Sequence, residues 1–219
     1  MESFEELLRQ AETAHGHLCA GQILGVRMAM LGCRRLAIEE PRGADRKRLV
    51  TWIEIDRCAT DAIGVVTGCR LGKRALKFRD WGKMAATFMD LATGRAIRVV
   101  ALESSKQRAR ELYPEIENKN QQQMTAYREM PDADLFGEQW VEVVLEPKEM
   151  PGYKGARVAC AECGEGINYD RFEERAGRPL CLACAHPEQR YYRPAGGEFA
   201  VGGAAAGQAV AARSRCECG

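Results

Sequence analysis

The chain has 219 residues, of which 46% are hydrophobic and 29% are charged, and its formal net charge is +1. This balance is typical of a folded globular protein and gives no overall charge that would favour nucleic acid or a membrane surface as a partner. Because no apolar run approaches the roughly 20 residues that span a bilayer, and the N-terminus is acidic and amphipathic, we expect a cytoplasmic protein. In a reducing compartment, ten cysteines indicate metal ligands or reactive thiols more than disulfides.

Hydrophobic periodicity predicts a mixture of helices and strands over the first 146 residues. A capping-box pattern, Ser3 followed by Glu6, opens the first helix, and Gly68 ends the third. The charged segment from Ser104 to about Met130 predicts a long, exposed helix, which Pro114 is expected to break. The predicted elements are, in chain order, helices over 4–13, 21–36 and 58–67, strands over 49–56 and 75–80, a β-hairpin over 84–102, the helix over 104–130 and a strand over 138–146.

The order of these elements indicates the fold class and the division of the chain. Helices and strands do not alternate strictly, which favours an α+β fold over a doubly wound sheet. We expect an α+β core over 1–146, a linker over 147–157, a small four-cysteine domain over 158–194 and a flexible Gly/Ala-rich tail over 195–219. The tail ends in Cys216 and Cys218, which either bind metal or form an incidental pair.

Four cysteines near the C-terminus carry the strongest signal in the sequence. Cys160 and Cys163 form one C-x2-C pair, and Cys181 and Cys184 form a second pair after seventeen intervening residues. Each pair places two sulfurs on one side of an ion, and two pairs complete the tetrahedral four-thiolate shell of structural zinc. The spacing therefore predicts a zinc ribbon or treble-clef-like module that serves folding or docking. A redox dithiol is the alternative interpretation.

A second candidate site lies in the stretch AHGHLCAG, which contains two of the three histidines of the chain. His15, His17 and Cys19 alternate, so an extended backbone places them on one side, just before a helix whose N-terminus favours a thiolate. A His-Cys pair cannot complete a metal shell alone, and Cys58, at the start of another helix, is the best candidate for a further ligand. A packed loop without metal is the other interpretation.

Three segments resemble the signature blocks of the FmdE family, whose members are similar to the FmdE protein of molybdenum or tungsten formylmethanofuran dehydrogenase. The segments are HGHLCAG, DRCATDAIGVVTGCRLGK and FRDWGKMAATFMDLATGRAIRV. The resemblance covers roughly residues 4–145. It implies an α+β core that forms an intertwined homodimer with a metal-binding cavity. Many family members also carry a C-terminal zinc finger, which fits the four cysteines.

The resemblance implies that His17, Cys19 and Cys58 are the ligands of a metal in the core. His15 is then a further ligand or a partner that orients one, and Asp61, one helical turn after Cys58, is placed to do the same. The other polar candidates, in the segments GCRLGK and DWGK, are Cys69, Lys73 and Lys83. Positions at which the chain departs from the usual family pattern are Ala20, Gly64, Arg70, Arg74 and Ala75, so the surroundings of the ligands differ more than the ligands.

Three functions are compatible with these sites. The first is a metal-binding accessory or metal-handling protein of molybdenum/tungsten formylmethanofuran-dehydrogenase-like systems, with structural zinc and a second transition metal, expected to be zinc, in the core. The second is a metal-dependent enzyme that uses an open core position on a small molecule. The third is a zinc-dependent regulator that binds nucleic acid, which the balanced charge disfavours. As partners we expect a second copy of the chain and a larger molybdenum or tungsten enzyme complex, but no membrane and no nucleic acid.

Overall fold

A computed structural model describes residues 1–193 of the chain. Two compact units make up the chain, one over Met1–Gly152 and a second that begins at Tyr153. The predicted flexible tail, with Cys216 and Cys218, lies outside the described residues. Within residues 1–193, no helix combines the length and the apolar character that crossing a membrane requires.

The first unit combines helices with one five-stranded sheet, which confirms the predicted α+β class. Its helices are α1 (Phe4–His15), α2 (Ala20–Arg35), α3 (Cys58–Thr67), α4 (Ser104–Leu112), α5 (Lys119–Glu129) and α6 (Asp132–Leu135). Its strands are β1 (Leu49–Ile53), β2 (Leu76–Phe78), β3 (Ala85–Asp90), β4 (Ala96–Ala101) and β5 (Phe136–Val141). The strand order is β2-β1-β3-β4-β5; β1 and β2 are parallel, and the other neighbours are antiparallel.

Local sequence explains where these helices begin and end. The Glu6 backbone N–H donates to Ser3 Oγ at 3.3 Å, which caps α1 as the sequence predicts. Gly16 and Gly68 end α1 and α3 with φ angles of 96° and 68°, a left-handed conformation that costs glycine little. Pro114 follows α4 and cannot donate a helical hydrogen bond, so the segment predicted as one long helix forms α4 and α5.

Two strand boundaries predicted from the sequence are wrong, and backbone hydrogen bonds explain both. The strand predicted over 138–146 is β5, which covers Phe136–Val141 because its partner β4 offers only six residues for pairing. The strand predicted over 49–56 ends at Ile53, because the chain bends at Glu54, whose carbonyl oxygen accepts hydrogen bonds from the backbone N–H groups of Trp81 and Lys83. Apolar residues continue past Ile53 and Val141, but a strand continues only where a neighbouring strand pairs with it.

Glycines on α2 set how closely the helices and the sheet approach one another. A Cβ atom at Gly25 would lie 2.6 Å from the carbonyl oxygen of Ala59 on α3, and one at Gly32 would lie 2.3 Å from the Phe88 ring on β3. Both distances are shorter than atoms tolerate, so any larger residue would push α2 away. The close contact of α2 with α3 brings the N-termini of these two helices together.

Over residues 153–193, the second unit contains two short hairpins, one turn of α-helix and a 3-10 turn at Pro187–Gln189. Its elements are β6 (Arg157–Ala159), β7 (Gly166–Asn168), β8 (Phe172–Arg175), β9 (Arg178–Cys181) and α7 (Leu182–Ala185). The pairs are β6 with β7 and β8 with β9, both antiparallel. Among the residues of this unit that the structure describes, the buried apolar side chains are Cys160, Ile167 and Ala185. So small a core does not stabilise a fold without a cross-link or a metal.

Candidate metal centres

Four cysteines of the second unit, Cys160, Cys163, Cys181 and Cys184, converge on one point, and their sulfur atoms all lie within 4.8 Å of one another. Cys160 and Cys163 lie between β6 and β7, Cys181 ends β9, and Cys184 lies in α7. The sulfurs of Cys163 and Cys181 are 3.9 Å apart. This matches the edge of about 3.8 Å in a tetrahedron with zinc–sulfur bonds of about 2.3 Å. Donor type and spacing therefore fit a structural zinc ion.

Backbone amides favour the thiolate form of Cys160. The N–H of Cys181 donates to Cys160 Sγ at 3.3 Å. Burial opposes ionisation of Cys160, but the amide groups of Cys163, Cys181 and Glu162 outweigh it and lower the pKa of this thiol to about 6. A thiolate is the form that binds zinc, so the loop prepares this sulfur for the metal.

Arg190 contacts the four-cysteine cluster at Cys184. Its Nη2 donates to Cys184 Sγ at 3.6 Å and to the carbonyl oxygen of Ala183 at 3.1 Å. Burial, followed by the neighbouring cysteines, raises the pKa of Cys184. A guanidinium at this sulfur offsets part of the negative charge that four thiolates bring to the ion. The sequence predicts no such contact for Arg190, because the contact depends on the fold of the segment after α7.

The second candidate centre lies where three helix ends of the first unit meet. His15 is the last residue of α1, Cys19 precedes α2 as its N-cap, and Cys58 is the first residue of α3. His17 lies in the four-residue connection between α1 and α2. Donor atoms of His15, His17 and Cys19 all lie within 4.8 Å of one another. Cys58 is not among these mutually close donors, but it lies beside Cys19, because both residues border Gly21. We call these four residues the core cluster.

The helix ends give the core cluster a defined electrostatic character. The N-termini of α2 and α3, where Cys19 and Cys58 lie, carry partial positive charge. Burial, followed by the neighbouring Cys19, nevertheless raises the pKa of Cys58 above its usual value. A bound metal cation would favour the thiolate of Cys58 instead, because coordination stabilises it. Two thiols and two imidazoles suit zinc and other borderline transition metals.

Asp61 lies in the first turn of α3 and pairs with His15. The distance from His15 Nδ1 to Asp61 Oδ2 is 2.8 Å, and the side chains are 19% and 55% exposed. The ring centroids of His15 and His17 are 4.8 Å apart, with the planes tilted by 46°. The sequence predicted that Asp61 shares a helix face with Cys58; its contact with His15 arises from the packing of α1 on α3.

Two glycines shape the core cluster, and the sequence alone did not predict either of them as a site residue. A Cβ atom at Gly21 would lie 3.3 Å from the Cys58 Cβ atom and 3.8 Å from the Cys19 sulfur. Gly25, one turn later on α2, contacts the backbone of α3 directly. Small residues spaced four apart on a helix were the signal that could have predicted this close contact.

The remaining candidates lie elsewhere in the first unit. Cys69 is buried in the hydrophobic core, where Thr51 Oγ1 donates to its sulfur at 3.6 Å and its thiol donates to the Leu49 carbonyl oxygen at 3.5 Å. Burial raises the pKa of Cys69. Lys73 ends a short 3-10 turn after α3, and the Lys83 ammonium lies 5.7 Å from the Trp81 ring centroid. Cys69 is thus a packed core thiol in this structure.

Comparison with known protein families gives one matching family in each of the two units. The family described as "FmdE, Molybdenum formylmethanofuran dehydrogenase operon" matches residues 14–137. The family described as "Prokaryotic dksA/traR C4-type zinc finger" matches residues 153–190. The chain therefore belongs to the FmdE family and carries a C4-type zinc-finger segment after the FmdE domain. Both the resemblance and the zinc finger predicted from the sequence are confirmed.

Two individual proteins illustrate this relationship. A "Probable S-adenosyl-L-methionine-binding protein" of Archaeoglobus fulgidus is 30% identical over 199 residues, which cover 82% of this chain and 52% of the relative. The chain thus spans about half the length of this curated relative. A crystal structure of an FmdE-like protein of the tungsten formylmethanofuran dehydrogenase type from Syntrophus aciditrophicus superimposes with a TM-score of 0.58 at 24% identity. The match covers 86% of this chain and 95% of the other, and the likeness is one of fold.

Proposed function

We propose that this chain is a metal-binding accessory or metal-handling protein of a molybdenum/tungsten formylmethanofuran-dehydrogenase-like system. It holds structural zinc in the four-cysteine module and a second transition metal in the core cluster. We expect this second metal to be zinc as well. His17, Cys19 and Cys58 are the ligands of that second metal. The proposed association with the dehydrogenase system rests on the name of the family to which the chain belongs.

The observation that carries this proposal is the convergence of soft and borderline metal donors at three helix ends. Packing does not require two histidines and a cysteine whose donor atoms all lie within 4.8 Å of one another, and the exposed imidazole of His17 fills no core. Imidazole nitrogen and cysteine sulfur suit a transition metal, and Cys58, which borders Gly21 together with Cys19, supplies a further sulfur. A bound cation would stabilise the thiolate of Cys58, which burial and Cys19 disfavour.

Metal content of the purified, untagged chain tests the proposal. We expect two metal equivalents per chain in the native protein and one in Cys58→Ser, measured by inductively coupled plasma mass spectrometry. Cys33→Ala is the matched control, because it removes a buried thiol of α2 about 21 Å along the helix from Cys19. One equivalent in the native chain and in Cys58→Ser alike would contradict the core metal site.

We further propose that two copies of the chain associate and that the dimer joins a larger enzyme complex. Trp140 on the edge strand β5 is 52% exposed and Val144 beyond it is 84% exposed, which favours a protein partner at this edge. Light scattering after size exclusion tests the dimer, for which we expect twice the chain mass. Trp140→Lys is expected to shift that mass toward the monomer, and a native protein at the monomer mass would contradict the dimer.

A second candidate function is that of a metal-dependent enzyme acting on a small molecule at the core cluster. His17 is exposed, and the Archaeoglobus fulgidus relative is named for binding S-adenosyl-L-methionine. That compound is therefore the first small molecule to test, by calorimetry on the metal-loaded native chain and on Cys58→Ser. Binding that depends on the core metal would favour this function, whereas no binding at millimolar ligand would remove this compound as a substrate.

A further inference from the structure

Positive charge is concentrated along the edge strand β2 and the turns on either side of it. Residues 70–83 contain six cationic residues and one acidic residue, a net charge of +5, whereas the whole chain carries +1. β2 is the outermost strand of the sheet, at the edge opposite β5. We call residues 70–83 the basic edge. Its cations are Arg70, Lys73, Arg74, Lys77, Arg79 and Lys83.

The basic edge also exposes large apolar side chains. Leu71, in the 3-10 turn before β2, is 65% exposed, and Trp81, in the turn after β2, is 61% exposed. Phe78, the last residue of β2, is exposed as well. Single exposed apolar residues are ordinary on a protein surface, but three along one sheet edge, among cations, indicate an interaction surface.

Protection of the sheet edge does not explain this composition. Charged side chains on an edge strand prevent its pairing with other chains, which accounts for cations on and around β2. The same purpose would exclude exposed Leu71 and Trp81, because apolar surface promotes association. The Lys83 ammonium lies 5.7 Å from the Trp81 ring centroid, so charge and apolar surface occur side by side.

Part of the basic edge contacts a polypeptide segment of the same unit, which shows how its cations recognise a chain. Arg74 and Lys77 donate to the backbone carbonyl oxygens of Lys148 and Glu149. Arg79 Nη2 lies 3.5 Å from the Glu149 carboxylate oxygen Oε1. Carbonyl oxygens and a carboxylate are thus the groups that this edge binds.

The other cations of the basic edge have no such counterpart in the described part of the chain. Within residues 1–193, Arg70, Lys73 and Lys83 take part in no ion pair, and all three are exposed. They flank Leu71 and Trp81 in the sequence, so the unpaired charge and the most exposed apolar side chains share the same two turns.

We propose that the basic edge docks an acidic, extended segment of a partner protein. Carboxylates of that segment pair with Arg70, Lys73 and Lys83, and its apolar side chains contact Leu71 and Trp81. The inference deepens one part of the proposed function, the association with a larger complex, and rests on that part alone. Because β2 and β5 are opposite edges of the sheet, this partner does not compete with the proposed dimer contact at Trp140.

Fluorescence anisotropy of a labelled peptide tests the proposal on the full-length chain. The probe is a short synthetic peptide of glutamates interrupted by leucines, and the comparison probes are an all-glutamate peptide and an oligouridylate of the same length. We expect the leucine-containing peptide to bind, and to bind more weakly as salt is raised from about 50 to about 200 mM, because exposed charge pairs are screened. The all-glutamate peptide is expected to bind about 10-fold more weakly, since it lacks the apolar contacts.

Variants locate the binding on the basic edge. We expect the double variant Lys73→Glu/Lys83→Glu to weaken peptide binding at least 10-fold, and Trp81→Ala to weaken it about 10-fold. Helix α4 provides matched controls, because Lys106 and Arg110 are exposed cations and Leu112 is an exposed large apolar residue. Lys106→Glu/Arg110→Glu makes the same change in net charge, and Leu112→Ala removes a comparable side chain. Both controls are expected to bind the peptide as the native chain does.

Several results would overturn the proposal. These are no peptide binding at millimolar concentration, equal binding by the basic-edge variants and their controls, and tighter binding of the oligouridylate than of the peptide, which would assign the edge to nucleic acid. A shift of Trp81→Ala to the monomer mass in light scattering would also overturn it, because a second copy would then cover this edge. None of these results changes the metal content of the native chain, so the proposed metal-binding function is tested separately.

Discussion

At the scale of single residues, Asp90 shows how one carboxylate can fix a turn. It is fully buried at the end of β3 and accepts hydrogen bonds from the Arg48 guanidinium, the Ala92 backbone N–H and the Thr93 hydroxyl. Burial alone would raise the pKa of Asp90, but these donors outweigh it and lower the pKa below its usual value. The ionised carboxylate therefore stabilises the folded chain.

We predict that Asp90→Asn lowers the free energy of unfolding by about 2 kcal/mol at neutral pH. Because the pKa of Asp90 is lowered on folding, its contribution is present above its unfolded pKa and is lost as pH falls through the lower, folded value. The difference between native protein and variant should thus shrink below about pH 4. Urea denaturation across pH checks this, with the exposed Asp80→Asn as control. A difference that stays constant down to about pH 3 would disprove the role of the charge.

Arg190 is the second residue whose contacts predict a measurable effect. Its donation to Cys184 Sγ offsets negative charge at one ligand of the four-cysteine module. We predict that Arg190→Ala loses zinc to a chelator about 10-fold faster than the native protein, because an outer contact of this kind tunes how firmly a ligand is held. The exposed Arg193→Ala is the matched control. Equal rates in the native protein and Arg190→Ala would show that the contact does not stabilise the site.

At the scale of secondary-structure elements, the contact between α2 and α3 positions the core cluster. A Cβ atom at Gly25 would meet backbone atoms of Ala59, which cannot move as a flexible side chain can. Gly25→Ala is therefore predicted to lower the free energy of unfolding by about 1–3 kcal/mol and to weaken core metal binding, because it separates the helix ends that carry Cys19 and Cys58.

Chemical denaturation followed by far-ultraviolet circular dichroism measures the cost of this substitution. Gly72→Ala is the matched control, since a Cβ atom there would meet nothing within 4 Å. A Gly25→Ala protein with the native unfolding midpoint would mean that the helices can separate freely, and the close contact would then not explain the position of the site.

The sequence predicts the elements whose signals are local and misses those that depend on partners. The caps at Ser3, Gly16 and Gly68 and the break at Pro114 act over a few residues, so the helices lie close to their predicted positions. The end of β5 depends on the length of its neighbour β4, and the end of β1 depends on the contacts of Glu54 with Trp81 and Lys83, which no local window of sequence contains. The single-turn α6 is too short to produce a periodic pattern.

The same distinction applies to the two candidate metal centres. Two C-x2-C pairs bring four sulfurs together through local turns, and their spacing alone predicted the cluster that the structure contains. The core cluster draws its donors from three helix ends, and the His15–Asp61 contact spans 46 positions of the chain. Its composition could be proposed from family resemblance, whereas the pairing of its side chains required the packing of α1, α2 and α3.

At the scale of the whole molecule, the two units differ in what stabilises them. The first unit has an extensive core of helix and sheet residues, whereas the second buries Cys160, Ile167 and Ala185 as its apolar side chains within the described residues. We predict that removing zinc with a chelator unfolds the second unit and leaves the first folded. Limited trypsin digestion should then cleave between Arg157 and Arg190 while a fragment near Met1–Gly152 persists. Unchanged resistance of the second unit after complete zinc removal would contradict a structural role for the metal.

Anomalous X-ray diffraction from crystals of the untagged native protein, recorded on both sides of the zinc absorption edge, tests the presence of two metal centres most directly. We expect two peaks per chain, one among Cys160, Cys163, Cys181 and Cys184 and one among His17, Cys19 and Cys58. A single peak at the four cysteines would contradict the core metal site. The core cluster would then be a packing feature, and the chain would be an FmdE-family protein that binds metal through its zinc finger alone.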